Sequence, residues 1–225
     1  MRGLFVTGTD TDVGKTVVSA AICAALASAG ERVAAFKPVV TGVDEPGGEW
    51  PRDDVLLASI ASAGQTEEAV TPLRFGPAVS PHYAAELAGE PIDAAGLAPD
   101  ARSLGKEATL IVEGVGGFLV PLSGEYLVRD MAVELALPVV IVARTGLGTI
   151  NHTLLTIAAV RAAGLEVAAV VMTPWAADPA PIELSNRLTI GRLGRVEVVG
   201  LAPTRPDSGA LAAAGAELPL EDWLS

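Results

Sequence analysis

Short apolar runs alternate with amphipathic stretches along almost the whole chain. Residues 2–7, 33–37, 109–113, 139–143, 167–172 and 196–201 are predominantly apolar runs, and they read as strands. Residues 15–29, 53–61, 126–137, 151–163 and 182–193 read as helices, with shorter helical stretches at 84–87 and 94–104. In the first helix Val17, Val18, Ala21, Ile22, Ala25, Leu26 and Ala29 recur at helical spacing and predict one apolar stripe, with Gly30 as its C-terminal stop. Pro38 stops the second strand and Pro138 opens the strand at 139–143. Residues 44–51 form a Gly/Pro loop, and 67–81 read as irregular.

Continuous rather than alternating apolar strands, separated by helices, predict a parallel sheet covered on both faces. The expected fold is α/β, one P-loop-type domain spanning residues 1–225 without repeat or linker. In such sheets ligands gather beyond the carboxyl ends of the strands. The polar residues there become site candidates: the loop 8–16, Lys37, Glu113 and the turn 146–151.

Residues 8–16 read Gly-Thr-Asp-Thr-Asp-Val-Gly-Lys-Thr, follow a strand and open a helix. That context makes them a phosphate-binding loop, with backbone N–H groups and a helix N-terminus facing the anion. Lys15 can reach terminal phosphates and the Thr16 hydroxyl suits Mg²⁺. Five residues separate Gly8 from Gly14, one more than the common spacing. Taken alone, Lys37 would be a strand-end lysine reaching water. Glu113 ends an apolar strand, where a lone carboxylate is costly unless paired or metal-bound.

Charge and composition narrow the partners. Acidic residues outnumber basic ones 27 to 15, and the net charge of −12 argues against nucleic acid and anionic membranes. It leaves room for a local anion pocket. A single cysteine, Cys23, precludes an internal disulfide, and its expected role is packing in the first helix. With no leader pattern at the start and no apolar run of about 18 residues, the expectation is a cytoplasmic protein.

The stretches Gly8 to Thr16, Phe36 to Gly42 (Phe-Lys-Pro-Val-Val-Thr-Gly), Ser80 to His82, Val112 to Gly117 (Val-Glu-Gly-Val-Gly-Gly) and Gly148 to Thr153 resemble the dethiobiotin synthetase family in the same order. The resemblance implies an ATP-dependent enzyme of biotin synthesis that carboxylates 7,8-diaminopelargonate with CO₂ and closes the ring. It implies Lys15 and Lys37 as catalytic cations near the γ-phosphate, and Thr16, Asp54 and Glu113 as Mg²⁺ ligands. The choice between Asp53 and Asp54 rests only on spacing from Lys37. Thr11, Asp12, Lys37, Thr41 and Ser80 would meet the diamine or carbamate. Gly148, Thr149 and Asn151, from a partner subunit, would hold its acid tail, which implies a homodimer. Asp12, Val13, Gly14, Val17, Gly114, Val115, Gly116, Thr173, Pro203 and Thr204 would complete the ATP site. Thr173 and Pro174 stand where members commonly carry an Asn, which weakens the base-reading match. The competing reading is a regulatory ATPase of the partitioning or division-site type. Asp10, Thr11 and Asp12 stand where those proteins carry Lys, Gly and Gly.

Overall fold

The central strands of the main sheet are buried, because helices cover both of its faces. The computed structural model describes residues 1–225. The elements are β1 (Gly3–Gly8), α1 (Lys15–Ser28), β2 (Val33–Phe36), β3 (Val39–Thr41), α2 (Asp53–Ile60), α3 (Glu67–Val70), β4 (Leu73–Phe75), α4 (Pro81–Ala88), α5 (Ala94–Leu104) and β5 (Thr109–Gly117). They continue with β6 (Pro121–Ser123), β7 (Tyr126–Leu127), α6 (Val128–Leu135), β8 (Val139–Ala143), α7 (Thr149–Ala162), β9 (Val167–Met172), α8 (Pro181–Gly194), β10 (Val198–Gly200), α9 (Ser208–Gly215) and α10 (Leu220–Trp223).

Six parallel strands run in the order β10-β9-β8-β1-β5-β2. Side chains alternate across each strand, so the sheet feeds two cores. Phe5, Phe36, Val112 and Ile141 pack with residues of α4 to α8 on one face. Leu4, Val6, Ile111 and Val140 pack with α1, α2, α9 and α10 on the other. The pairing Val6↔Glu113 sets the middle of β5 beside β1, and Gly8↔Gly117 carries that pairing past a bulge to the ends of both strands. The phosphate-loop strand is therefore central, and Glu113 borders it.

The strands at 139–143 and 167–172 and the helix at 94–104 coincide with expectation. Several features differ. The strand expected to end at Glu113 continues to Gly117, so Glu113 lies at its middle. Residues 67–81, read as irregular, contain α3 and β4, and β4 pairs in parallel with β3 as a separate two-stranded sheet. The stretch 126–137 does not begin as helix: Tyr126 and Leu127 pair with β6, and α6 starts at Val128, where the Asp130 carboxylate accepts the Leu127 N–H at 2.8 Å. Helix α9, in a region read without structure, packs lengthwise on α1. Finally, α1 carries no single stripe. Its residues 18–24 are all buried, because α9 and α2 cover the sides the sheet leaves open. The approach of α9 requires Gly215: a Cβ there would sit 2.1 Å from the Ala21 carbonyl oxygen.

Cys23 lies inside this wrapped helix and is fully buried. Burial pushes its thiol up to about 12, with the negative charge of Glu113 adding to the shift. The native thiol should therefore resist an aromatic disulfide reagent at pH 8. Labelling should appear only as urea unfolds the chain, followed by absorbance of the released thiolate.

Candidate active site

The loop after β1 is built to hold an anion. Gly14, at φ 92°, turns the chain into α1, and a Cβ there would lie 2.7 Å from Thr173 Cγ2. Asp12 is also left-handed, at φ 56°, a conformation that non-glycine residues adopt rarely. Three ties hold the loop closed. The Thr9 N–H donates to the Val142 carbonyl at 2.9 Å, Arg144 Nη2 donates to the Thr11 carbonyl at 3.0 Å, and Lys15 Nζ donates to the Asp10 carbonyl at 3.0 Å. Burial lowers the Lys15 pKa against the attraction of Glu113, and repulsion from Lys37 lowers it further.

Lys37 leaves the end of β2 and enters the cleft nearly buried, with 4% of its surface exposed. Its Nζ donates to Glu113 Oε1 at 2.8 Å and to Asp53 Oδ2. Burial works against the ammonium, but Glu113 and Asp53 overcome it and hold its pKa well above the ordinary lysine value. Asp53 is likewise disfavoured by burial and held below the usual carboxylate range by Lys37. The Thr16 hydroxyl donates to the same Glu113 Oε1 at 2.8 Å. Glu113 Oε2 is buried and has no partner. A buried carboxylate oxygen without a donor is costly, and it marks a place for a cation. Glu113, Thr16 and Asp53 present hard oxygens of the kind that could hold Mg²⁺.

Asp54, expected among the metal ligands by spacing, faces elsewhere. Its carboxylate is fully buried and is gripped by Arg52 Nε at 2.9 Å, Arg52 Nη2 at 3.0 Å and Arg74 Nε at 2.6 Å. Burial alone would raise its pKa, and the two guanidiniums hold it low. Adjacent residues in the first turn of α2 point about 100° apart, so one aspartate meets Lys37 and the other meets the arginines. The geometry corrects the expectation: Asp53 is the carboxylate facing the loop. Arg74 belongs to β4, opposite Val40 of β3, so the Asp54 clamp ties the start of α2 to the strand that carries Thr41.

Two adjoining clefts open over this cluster. One, of about 440 Å³, brings together Thr11, Asp12, Lys15, Thr16, Lys37, Thr41, Asp53, Val115 and Gly116. The other, of about 500 Å³, brings together Val13, Gly14, Val17, Thr173, Pro203 and Thr204, beside Arg144. Gly114 lines neither; it lies within β5 against Val128. Ser80 precedes α4 and also lies outside both, while His82 borders a separate hollow with Glu86 and Ser123. Gly148 and Thr149 open α7 beside another small hollow, and Asn151 is exposed on that helix. Sequence reasoning missed Trp50, which borders both large clefts, and Arg144, which braces the loop. A solitary tryptophan in a Gly/Pro loop and an arginine immediately after an apolar strand were the available signals.

A phosphate loop between a central parallel strand and its helix, with a carboxylate from the adjacent β5 and an ammonium from the next strand, β2, converging on it, defines a P-loop nucleotide-binding protein. A family model described as an AAA domain matches residues 2–212. The chain is 41% identical over 92% of both chains to the ATP-dependent dethiobiotin synthetase BioD of Anaeromyxobacter dehalogenans. It is 37% identical to the protein of that name from Bacillus subtilis, over 90% of this chain and 87% of the relative. Among solved structures, a ParA family ATPase from Chlorobium tepidum superimposes with a TM-score of 0.56 at 9% identity, covering 100% of this chain and 97% of that one. The cell division ATPase MinD from Pyrococcus furiosus gives 0.55 at 17% identity, covering 99% and 98%. These structural likenesses show the P-loop fold. The sequence relatives go further: the chain belongs to the ATP-dependent dethiobiotin synthetase family.

The Asp54 clamp makes a stability prediction. Removing one partner of a buried ion pair leaves an under-compensated charge, so Arg74→Ala should lose about 3 kcal/mol in urea unfolding. Arg74→Lys, which keeps the charge but loses the planar fork, should fall between Arg74→Ala and the native chain. A midpoint unchanged in both variants would remove the clamp from the account.

Proposed function

We propose that this chain carboxylates 7,8-diaminopelargonate with CO₂ and closes the ring to dethiobiotin at the expense of ATP. The observation that carries this reading is Lys37, a buried ammonium set between the phosphate loop and the Thr41 side of one cleft. The reaction requires two anions to meet. One amine takes up CO₂ as a carbamate, and a carbamate oxygen attacks the γ-phosphorus while ADP leaves. The second amine then attacks the carbonyl carbon of the mixed anhydride, expels phosphate and forms the cyclic urea. Lys15 and Lys37 offset the repulsion of the incoming carbamate and follow the charge onto the transferred oxygens.

The resting cluster supports that role. Lys15 and Lys37 face Asp53 and Glu113, so two positive and two negative charges nearly cancel. Glu113, Thr16 and Asp53 would hold Mg²⁺, which, when bound, would neutralise charge on the phosphates. Thr11, Asp12 and Thr41 line the same cleft and suit the diamine and carbamate. The 500 Å³ cleft would take the nucleoside, near Thr173, Pro203 and Thr204.

The remaining parts of the reading concern assembly. Gly148, Thr149 and Asn151 stand apart from the chain's own cleft, beside Leu147, which is 92% exposed. A homodimer in which this helix start serves the partner's substrate carboxylate accounts for both facts. The 225 residues act as one domain, in the cytoplasm. No helix is long and apolar enough to cross a membrane.

ADP release should require the diamine and bicarbonate together, in the presence of ATP and Mg²⁺. Turnover stimulated by lipid or DNA instead would favour the partitioning-type switch. Lys37→Ala should lose roughly 10²–10³ in kcat, by analogy with removal of one donor to a transition state. Full turnover in that variant would overturn its role.

A further inference from the structure

A nucleotide with its phosphates on the loop and its nucleoside in the larger cleft must cross the line where the two clefts meet. Asp12, Gly14, Val17 and Trp50 border both. The first three belong to the phosphate loop and α1. Trp50 alone comes from the opposite side, out of the loop that follows β3. Its side chain is half-buried and, like Val17, packs against the apolar cluster on the α1 face of the sheet.

The fixed polar side chains of the larger cleft are Asp12 and Arg144, and Arg144 is already engaged with the Thr11 carbonyl and Asp10. The cleft contains no Asn or Gln side chain, and its threonines have rotatable hydroxyls. Thr204 Oγ1 is buried without a partner, so it is free to donate or accept. Binding energy for the nucleoside must then come from flat apolar contact more than from fixed hydrogen bonds. An indole supplies the largest such surface, and stacking tolerates any base because every base has a π-face.

We infer that Trp50 is a nucleotide-binding residue whose indole packs against the nucleoside at the junction of the two clefts, holding it while the phosphates sit on the loop. This rests on the nucleotide reading above, and the probes below separate the two. ADP and inorganic tripolyphosphate, each with Mg²⁺, would be titrated calorimetrically into the native chain, Trp50→Ala and Trp50→Phe. Trp50→Ala should weaken ADP about tenfold to a hundredfold and leave tripolyphosphate within about twofold, because only ADP carries a nucleoside. Trp50→Phe should recover most of the loss. In the native chain ADP should change the tryptophan emission, and that change should vanish in Trp50→Phe, which keeps Trp175 and Trp223. Unchanged ADP affinity in both variants would overturn the inference. Equal weakening of ADP and tripolyphosphate would also overturn it, since the tryptophan would then act on the loop and not on the nucleoside. Failure of the native chain to bind either probe would sink the nucleotide reading itself.

Discussion

The buried contact between Lys37 and Glu113 is the constraint around which the site is arranged. Each charge would be expensive alone in that position. Together they cross-link the end of β2 to the middle of β5, and the Thr16 hydroxyl joins them to the phosphate helix through the same carboxylate oxygen. Three chain segments far apart in sequence are thereby fixed at one point. The parallel order of the sheet makes this possible, because it brings the carboxyl ends of β1, β5 and β2 side by side.

Around that point the polar groups sort into two separate networks. Asp53 joins the reactive cluster, while its neighbour Asp54 is taken up by Arg52 and Arg74. The second network is structural. It holds the first turn of α2 and the small β3–β4 sheet in one relation, and so holds Thr41 and Asp53 on facing sides of the cleft. Chemistry and support are drawn from adjacent residues of the same helix turn.

Most of the sheet was legible because its strands are unbroken apolar runs, and the phosphate loop because its spacing falls between a strand and a helix. Lys37 could be read from its place at a strand end, and Glu113 as the charge that closes an apolar run, although β5 continues past it through the glycines to Gly117. What escaped the sequence did so for identifiable reasons. Strands β3 and β4 are three residues each, too short to show a period. Helix α9 is mostly Ala and Gly, so it carries no contrast between faces, and its partner is nearly 200 residues away. Asp53 and Asp54 have the same chemistry in the same helix turn. Only the distant arginine of β4 decides between them. Trp50 sits in a loop whose composition predicts no structure, although it borders both clefts.

The contact between Gly215 and Ala21 reaches beyond packing. The phosphate helix is completed early in synthesis, yet the helix that covers its outer side is made after every strand of the sheet. Until α9 is made, the face of α1 around Ala21 lacks the helix that covers it in the finished fold. A nascent chain therefore holds the whole phosphate loop and its helix well before it holds the outer cover of that helix.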